Sequence, residues 1–119
     1  MFKLNVHPKG ETVIIALNGN FKKFDTMEVI ERVEEQIRCR RYNIIFLLNG
    51  VESIDKHGVE ALVSSMSMVK AWGGKVVLAD IPGPISDLSQ FQDGLRRFEI
   101  YDSESEAMKH FAVQSEQDK

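Results

Sequence analysis

The residue types best placed to do chemistry are Asp55, Lys56 and His57, which stand with Gly58 where a strand-following loop enters a helical pattern. Such loops commonly carry function in open α/β sheets. A carboxylate beside an imidazole is general-base chemistry, with Asp55 orienting His57, although side chains on neighbouring residues seldom reach that geometry. The same residues also read as a helix start, with Asp55 the cap and Lys56 and His57 in solvent. A third use is an anion held by the helix-start N–H groups. Elsewhere the chemistry is thin. Cys39 sits between Arg38 and Arg40-Arg41, where cations would lower a thiol pKa, but a bystander at a helix end fits the pattern equally. His7, His57 and His110 are scattered, without a second His or Cys within a helical turn, so no metal site and no cofactor are expected. Gly73-Gly74-Lys75 matches part of a phosphate loop, but the preceding glycine spacing is wrong and Val76 replaces the magnesium-holding Ser or Thr. It reads as a helix stop.

These residues depend on elements that the hydropathy pattern delimits. With 119 residues, 43% of them hydrophobic, the chain forms one domain around one core. The formal net charge of −3 excludes sequence-independent nucleic-acid binding, which needs a basic excess. Val13–Leu17 and Ile44–Leu48 are strand-sized, well short of the roughly 20 residues of a membrane helix. No secretory signal is apparent and the single Cys39 forms no internal disulfide, so a cytoplasmic location is expected.

Leu4–His7 and Thr12–Leu17 read as a hairpin turning at Pro8-Lys9-Gly10. Asp25-Thr26-Met27-Glu28 has the form of a capping box, and Met27, Ile30, Val33 and Ile37 then recur at helical spacing as an inward stripe. Asn43–Leu48 is a buried-strand run ended by Asn49-Gly50, and Val51–Asp55 is a loop. A second helix starts near Gly58 with Val59, Leu62, Val63, Met66 and Val69 inward, and Lys75–Ala79 is the next strand. Ile85 to Gly94 forms a short helix, Phe98–Ile100 a last strand, and Ser103-Glu104-Ser105-Glu106 caps a final helix. The predicted fold is α/β, a small mixed sheet with an N-terminal hairpin followed by parallel βα units. It occupies 1–112, with a disordered tail over 113–119.

The outward face of the second helix carries Glu60, Ser64, Ser67, Met68 and Ala71, with one charge among them. A face so poor in charge is cheaply desolvated by a partner, and a flexible Met adapts to what covers it. The alternatives are a helix lying under the C-terminal helix, or a homodimer contact.

Taken in order, Ile44-Ile45-Phe46-Leu47-Leu48, Val51-Glu52-Ser53-Ile54-Asp55, the Gly-started helix, Gly73-Gly74-Lys75-Val76-Val77-Leu78 and Ile100-Tyr101-Asp102-Ser103-Glu104-Ser105-Glu106-Ala107 resemble STAS domains of the bacterial anti-sigma-factor-antagonist type. The match runs from Leu4 to Phe111. This resemblance implies a non-enzymatic switch protein docking on an anti-sigma-factor kinase through the loop at Asp55–Gly58 and the helix after it. It also implies a phosphate-accepting hydroxyl immediately after Asp55, where this chain has Lys56. Asp55 carries over as helix-start acceptor and Gly58 as a close-packing residue, whereas Lys56 cannot accept a Ser kinase's phosphoryl group. Ser53 is the substitute acceptor nearest in sequence. A constitutive scaffold or homo-oligomer, and a small ligand-binding domain or enzyme using Asp55, Lys56 and His57, are the alternative readings.

Overall fold

The computed structural model describes residues 1–117. Alternating apolar and polar residues pair β1 (Phe2–Lys9) with β2 (Thr12–Phe21) as an antiparallel hairpin. Its turn is Gly10-Glu11, with Lys9 opposite Thr12 and Gly10 at φ 67°, later than the expected Pro8-Lys9-Gly10. A Gly at positive φ in the first central position is what a primed two-residue turn requires. Pro8 remains inside β1, opposite Val13. It is tolerated because β1 is an edge strand, where a missing N–H costs no ladder bond.

The remaining strands, β3 (Asn43–Ile54), β4 (Lys75–Ala79) and β5 (Glu99–Tyr101), join in parallel, giving the sheet order β1-β2-β3-β4-β5. Helices α1 (Thr26–Arg38), α2 (Lys56–Lys70), α3 (Gly83–Ser86), α4 (Ser89–Leu95) and α5 (Glu104–Gln117) connect and cover them. The mixed α/β sheet with its leading hairpin is as the pattern predicts.

One strand is much longer than its apolar run. Asn49-Gly50 does not end β3: Ala16 pairs with Leu47 but Asn18 with Gly50, so Leu48 and Asn49 together oppose Leu17 in a bulge. A Cβ on Gly50 would lie 1.8 Å from the Asn18 Oδ1 atom, so the residue must be small for the strands to close there. Val51–Ile54, expected as loop, therefore stays in the sheet and ends level with β2, where Phe21 pairs with Ile54.

Side-chain alternation divides the core. Val13, Ile15, Leu17, Ile44, Phe46, Leu48 and Leu78 face α1, α2, α3 and α4, while Ile14, Ile45 and Val77 face Ala107 and Phe111 of α5. β3 and β4 are thus covered on both sides, which explains their unbroken apolar runs. Because α5 lies on the opposite face of the sheet, it does not cover α2. In α1 the expected Ile30, Val33 and Ile37 do pack on the core, joined by buried Val29 and Gln36, while Met27 is 64% exposed. The predicted capping box is absent: Asp25 Oδ2 accepts from the Lys22 N–H at 3.0 Å, closing a single 3₁₀ turn over Lys23–Asp25 before the helix. Ser103 does cap α5, its hydroxyl accepting from the Glu106 N–H at 3.2 Å.

A polar cluster ties α5 to the β4–β5 edge. Lys75 Nζ lies 2.6 Å from Glu99 Oε1 and 3.0 Å from His110 Nε2, and the Tyr101 hydroxyl donates to Glu99 Oε2 at 3.0 Å. Burial, then the Glu99 carboxylate, pushes the Tyr101 hydroxyl pKa up to about 12. The Lys75 hydrogen bond outweighs desolvation and holds the Glu99 carboxyl below its ordinary value. The segment expected as a tail from 113 falls partly within α5, and 118–119 lie outside the described residues. Among the described residues no helix is long and apolar enough to cross a membrane.

Phe111 is 3% exposed and is the largest side chain by which α5 meets the sheet. Phe111→Ala should cost about 3–4 kcal/mol in urea denaturation, with amide exchange accelerated along α5. A loss below about 1 kcal/mol would mean that α5 contributes little to this face.

Candidate functional site

The bulge in β3 and the end of β2 bring three segments to one rim. The Asp55 N–H donates to the Phe21 carbonyl at 3.2 Å, continuing the ladder for one residue beyond the strands. Its side chain then caps α2: Oδ1 accepts from the Gly58 N–H at 2.9 Å, and Oδ2 accepts from the Lys23 N–H at 3.1 Å. One carboxylate thus joins the start of α2 to the turn that precedes α1. Partial burial alone would push this carboxyl's pKa up. The Gly58 and Lys23 N–H bonds, with the nearby His57, outweigh it and the net shift is downward. Gly58 is buried, and a Cβ there would stand 2.8 Å from both the Phe21 carbonyl oxygen and Ile54 Cγ1. Close approach of helix to sheet makes that position small.

Asp55, Lys56, His57 and Gly58 are therefore gathered at one point, but not as a catalytic set. Both Asp55 oxygens are engaged by backbone N–H groups, and the His57 ring instead lies 3.9 Å from Glu60 Oε2, a loose pair at an exposed carboxylate. Lys56 is exposed and lines, with Glu60 and Ser64, a groove of about 470 Å³ between α2 and α4 whose far wall is Asp93, Gly94 and Arg97. Val59 and Val63 form its floor. Ser67 is exposed farther along α2. Met68 is only half-exposed and belongs to the other flank of the helix, facing α1 beside Ile37. Ser53 is in β3, its hydroxyl donating to Asn20 Oδ1 at 2.5 Å across the β2–β3 pair.

Two neighbours escaped the sequence reading. Phe24, 94% exposed, and Met27, 64% exposed, occupy the turn and first helical residues that the Asp55–Lys23 bond fastens to the loop. The available signal was Phe24 itself, a lone aromatic between Lys22-Lys23 and Asp25 with no periodic apolar partner.

Loss of the cap should be visible in stability. Asp55→Ala should cost about 1–2 kcal/mol at neutral pH, and Asp55→Asn less, since one acceptor oxygen survives. The folded-state pKa lies below the ordinary carboxylate value. The carboxylate's contribution is therefore complete above that ordinary value, near pH 4, and fades as pH falls through the folded one. Urea titrations of parent and Asp55→Ala should converge below about pH 4. A gap that stays constant as the pH falls below that range, through the folded-state value, would contradict the assignment.

Comparison with known proteins identifies this architecture. Residues 3–107 match the family model described as the STAS domain. An anti-sigma F factor antagonist of Paenibacillus polymyxa is 23% identical over 110 residues, covering 92% of this chain and 93% of that protein. The anti-sigma factor antagonist SpoIIAA in its unphosphorylated form superposes with a TM-score of 0.81 at 19% identity, over 93% of this chain and 97% of the other. The phosphorylated form of SpoIIAA, a Bacillus cell fate determinant, gives 0.71 at 21% identity, over 93% and 99%. These structural likenesses establish the fold, and the family model, spanning most of the sequence, places the chain in the STAS domain family.

Proposed function

We propose that this STAS domain is a non-enzymatic regulatory module that binds a protein partner of the anti-sigma-factor class. Its docking surface comprises Asp55, Lys56, His57 and Gly58, then Glu60, Ser64, Ser67 and Met68 along α2, with Phe24 and Met27 at the adjoining turn. The observation that carries this reading is the exposure of Phe24 and Met27 directly beside a loop held rigid by Asp55. Large apolar side chains that the fold leaves in water, on a backbone already ordered, can be covered at little entropic cost. The likeness to an anti-sigma F factor antagonist supports the class of partner.

The same reading includes the absence of the usual switch at this loop. A phosphate at the first helical position would add about two negative charges to a surface from which docking excludes water. Lys56 occupies that position and supplies a positive charge instead. Ser53 is a poor substitute, because its hydroxyl is already engaged with Asn20 inside the sheet pair. Binding should therefore be constitutive with respect to ATP.

Titrating the chain with the anti-sigma factor encoded in the same genome, by calorimetry, tests the surface. Phe24→Asp and Ser64→Glu should each weaken binding by more than about fivefold with little change in urea stability. Affinity unchanged in both variants would remove the proposed surface. Intact-mass measurement after incubation with that partner and ATP tests the switch: an unmodified, still-bound chain is expected, and a phosphate on Ser53 would refute the switch-free reading.

A further inference from the structure

A small cavity of about 160 Å³ lies between the last turn of α2, the start of β4 and the segment that enters β5. Lys70, Lys75, Arg97 and Glu99 line it, together with Met66 and Val76. A site for a drug-sized molecule occupies roughly 300–1,000 Å³, so a ligand held here is small.

The charges around this cavity do not balance. Among the described residues three cations line it against one carboxylate, in a chain whose formal net charge is −3. That carboxylate is already committed: Glu99 Oε1 lies 2.6 Å from Lys75 Nζ, and Oε2 accepts from the Tyr101 hydroxyl at 3.0 Å. Lys75 spends a second of its three ammonium protons on His110 Nε2, at 3.0 Å, and keeps the third. These two contacts hold the ammonium in place before any ligand arrives. Lys70 and Arg97 have no such partners. Among the described residues neither side chain forms a hydrogen bond or an ion pair. Arg97 stands on the ridge that this cavity shares with the α2–α4 groove, and there too it is unpaired with Asp93 or Glu60.

We propose that this cavity binds a small divalent oxyanion, either free phosphate or the phosphate group of a small phosphomonoester. The anion would sit between Lys70 and Arg97 and accept the remaining Lys75 proton. Two uncompensated cations on the wall of one small cavity repel each other, and a dianion between them turns that repulsion into two attractions. The planar guanidinium of Arg97 offers paired donors that match two phosphate oxygens. A carboxylate on a partner's side chain brings a single charge, which leaves one of the two cations unmatched. A metal ion is disfavoured by the surplus of like charge and by the single carboxylate, whose oxygens are taken. The proposal does not rest on the docking surface at the other end of α2, and its test needs only the chain itself.

The isotope-labelled chain, held at constant ionic strength and about pH 8 so that phosphate is dianionic, is titrated with inorganic phosphate, glycerol 3-phosphate and acetate and followed by NMR. Phosphate or glycerol 3-phosphate should shift the Gly74 and Val76 amides of the cavity wall saturably, with a Kd of about 1 mM or tighter. The tighter of the two identifies the source of the phosphate group. Acetate should bind at least about tenfold more weakly. Lys70→Gln and Arg97→Gln should each weaken phosphate binding by at least about tenfold. Arg96→Gln removes an exposed cation that does not line the cavity and should leave binding unchanged. Circular dichroism of all three variants should stay that of the parent. Shifts that rise without saturating, acetate binding equal to that of phosphate, or an equal loss in Arg96→Gln and Arg97→Gln would overturn the proposal.

Discussion

Asp55 accepts the Gly58 N–H with one carboxylate oxygen and the Lys23 N–H with the other, so the start of α2 and the turn before α1, distant in sequence, become one rim. That bridge fixes the geometry of this end of the molecule. The Phe21 carbonyl that receives the Asp55 N–H is also the atom against which Gly58 packs, so the end of β2, the end of β3 and the start of α2 are fixed in a single contact. Two N–H groups that a helix start and a turn would otherwise leave to water are satisfied by one side chain. Two register shifts precede the bridge: Leu48 and Asn49 oppose Leu17, and Glu52 is extra between the pairs Gly19–Val51 and Asn20–Ser53, so that Phe21 meets Ile54 and Asp55 arrives beside Lys23.

At this rim the Asp55 carboxylate is held by backbone donors, the His57 ring lies 3.9 Å from Glu60, and the exposed groups include a lysine and two large apolar side chains, the features on which the proposed docking role rests. The fold divides its labour by face: α5 closes one side of the sheet with Ala107 and Phe111, leaving α1, α2 and α4 to present grooves on the other. Both flanks of α2 carry mixed charge: toward α4 the groove pairs Lys56 and Arg97 with Glu60 and Asp93, and toward α1 the lining holds Glu34 and Arg38.

Most of the order and type of the elements was legible because their apolar runs have clear periods, continuous in β3 and β4 and helical in α2, whereas the single short helix expected from Ile85 to Gly94 divides into α3 and α4. The extent of β3 was not legible. Asn49-Gly50 is equally the signature of a turn and of a bulge, and only the partner strand decides between them. The inward face of α1 was legible in part: Ile30, Val33 and Ile37 pack on the core as the spacing predicts, whereas Met27 is exposed and Val29 and Gln36 are buried beside them. Asp55 and Gly58 were legible as cap and close-packing residue from local chemistry and family resemblance together. Phe24 was not, since an apolar residue within a polar run says nothing of whether the fold will cover it.

The bridge itself is open to direct observation by titrating the isotope-labelled chain with acid and following the Lys23 and Gly58 amide protons by NMR. An amide proton bonded to a carboxylate shifts as that group protonates. The account predicts that both amides move together, with the midpoint of the Asp55 carboxyl resonance, and that this shared midpoint lies below the ordinary aspartate range. Separate midpoints for the two amides, or a shared one at the ordinary value, would contradict it.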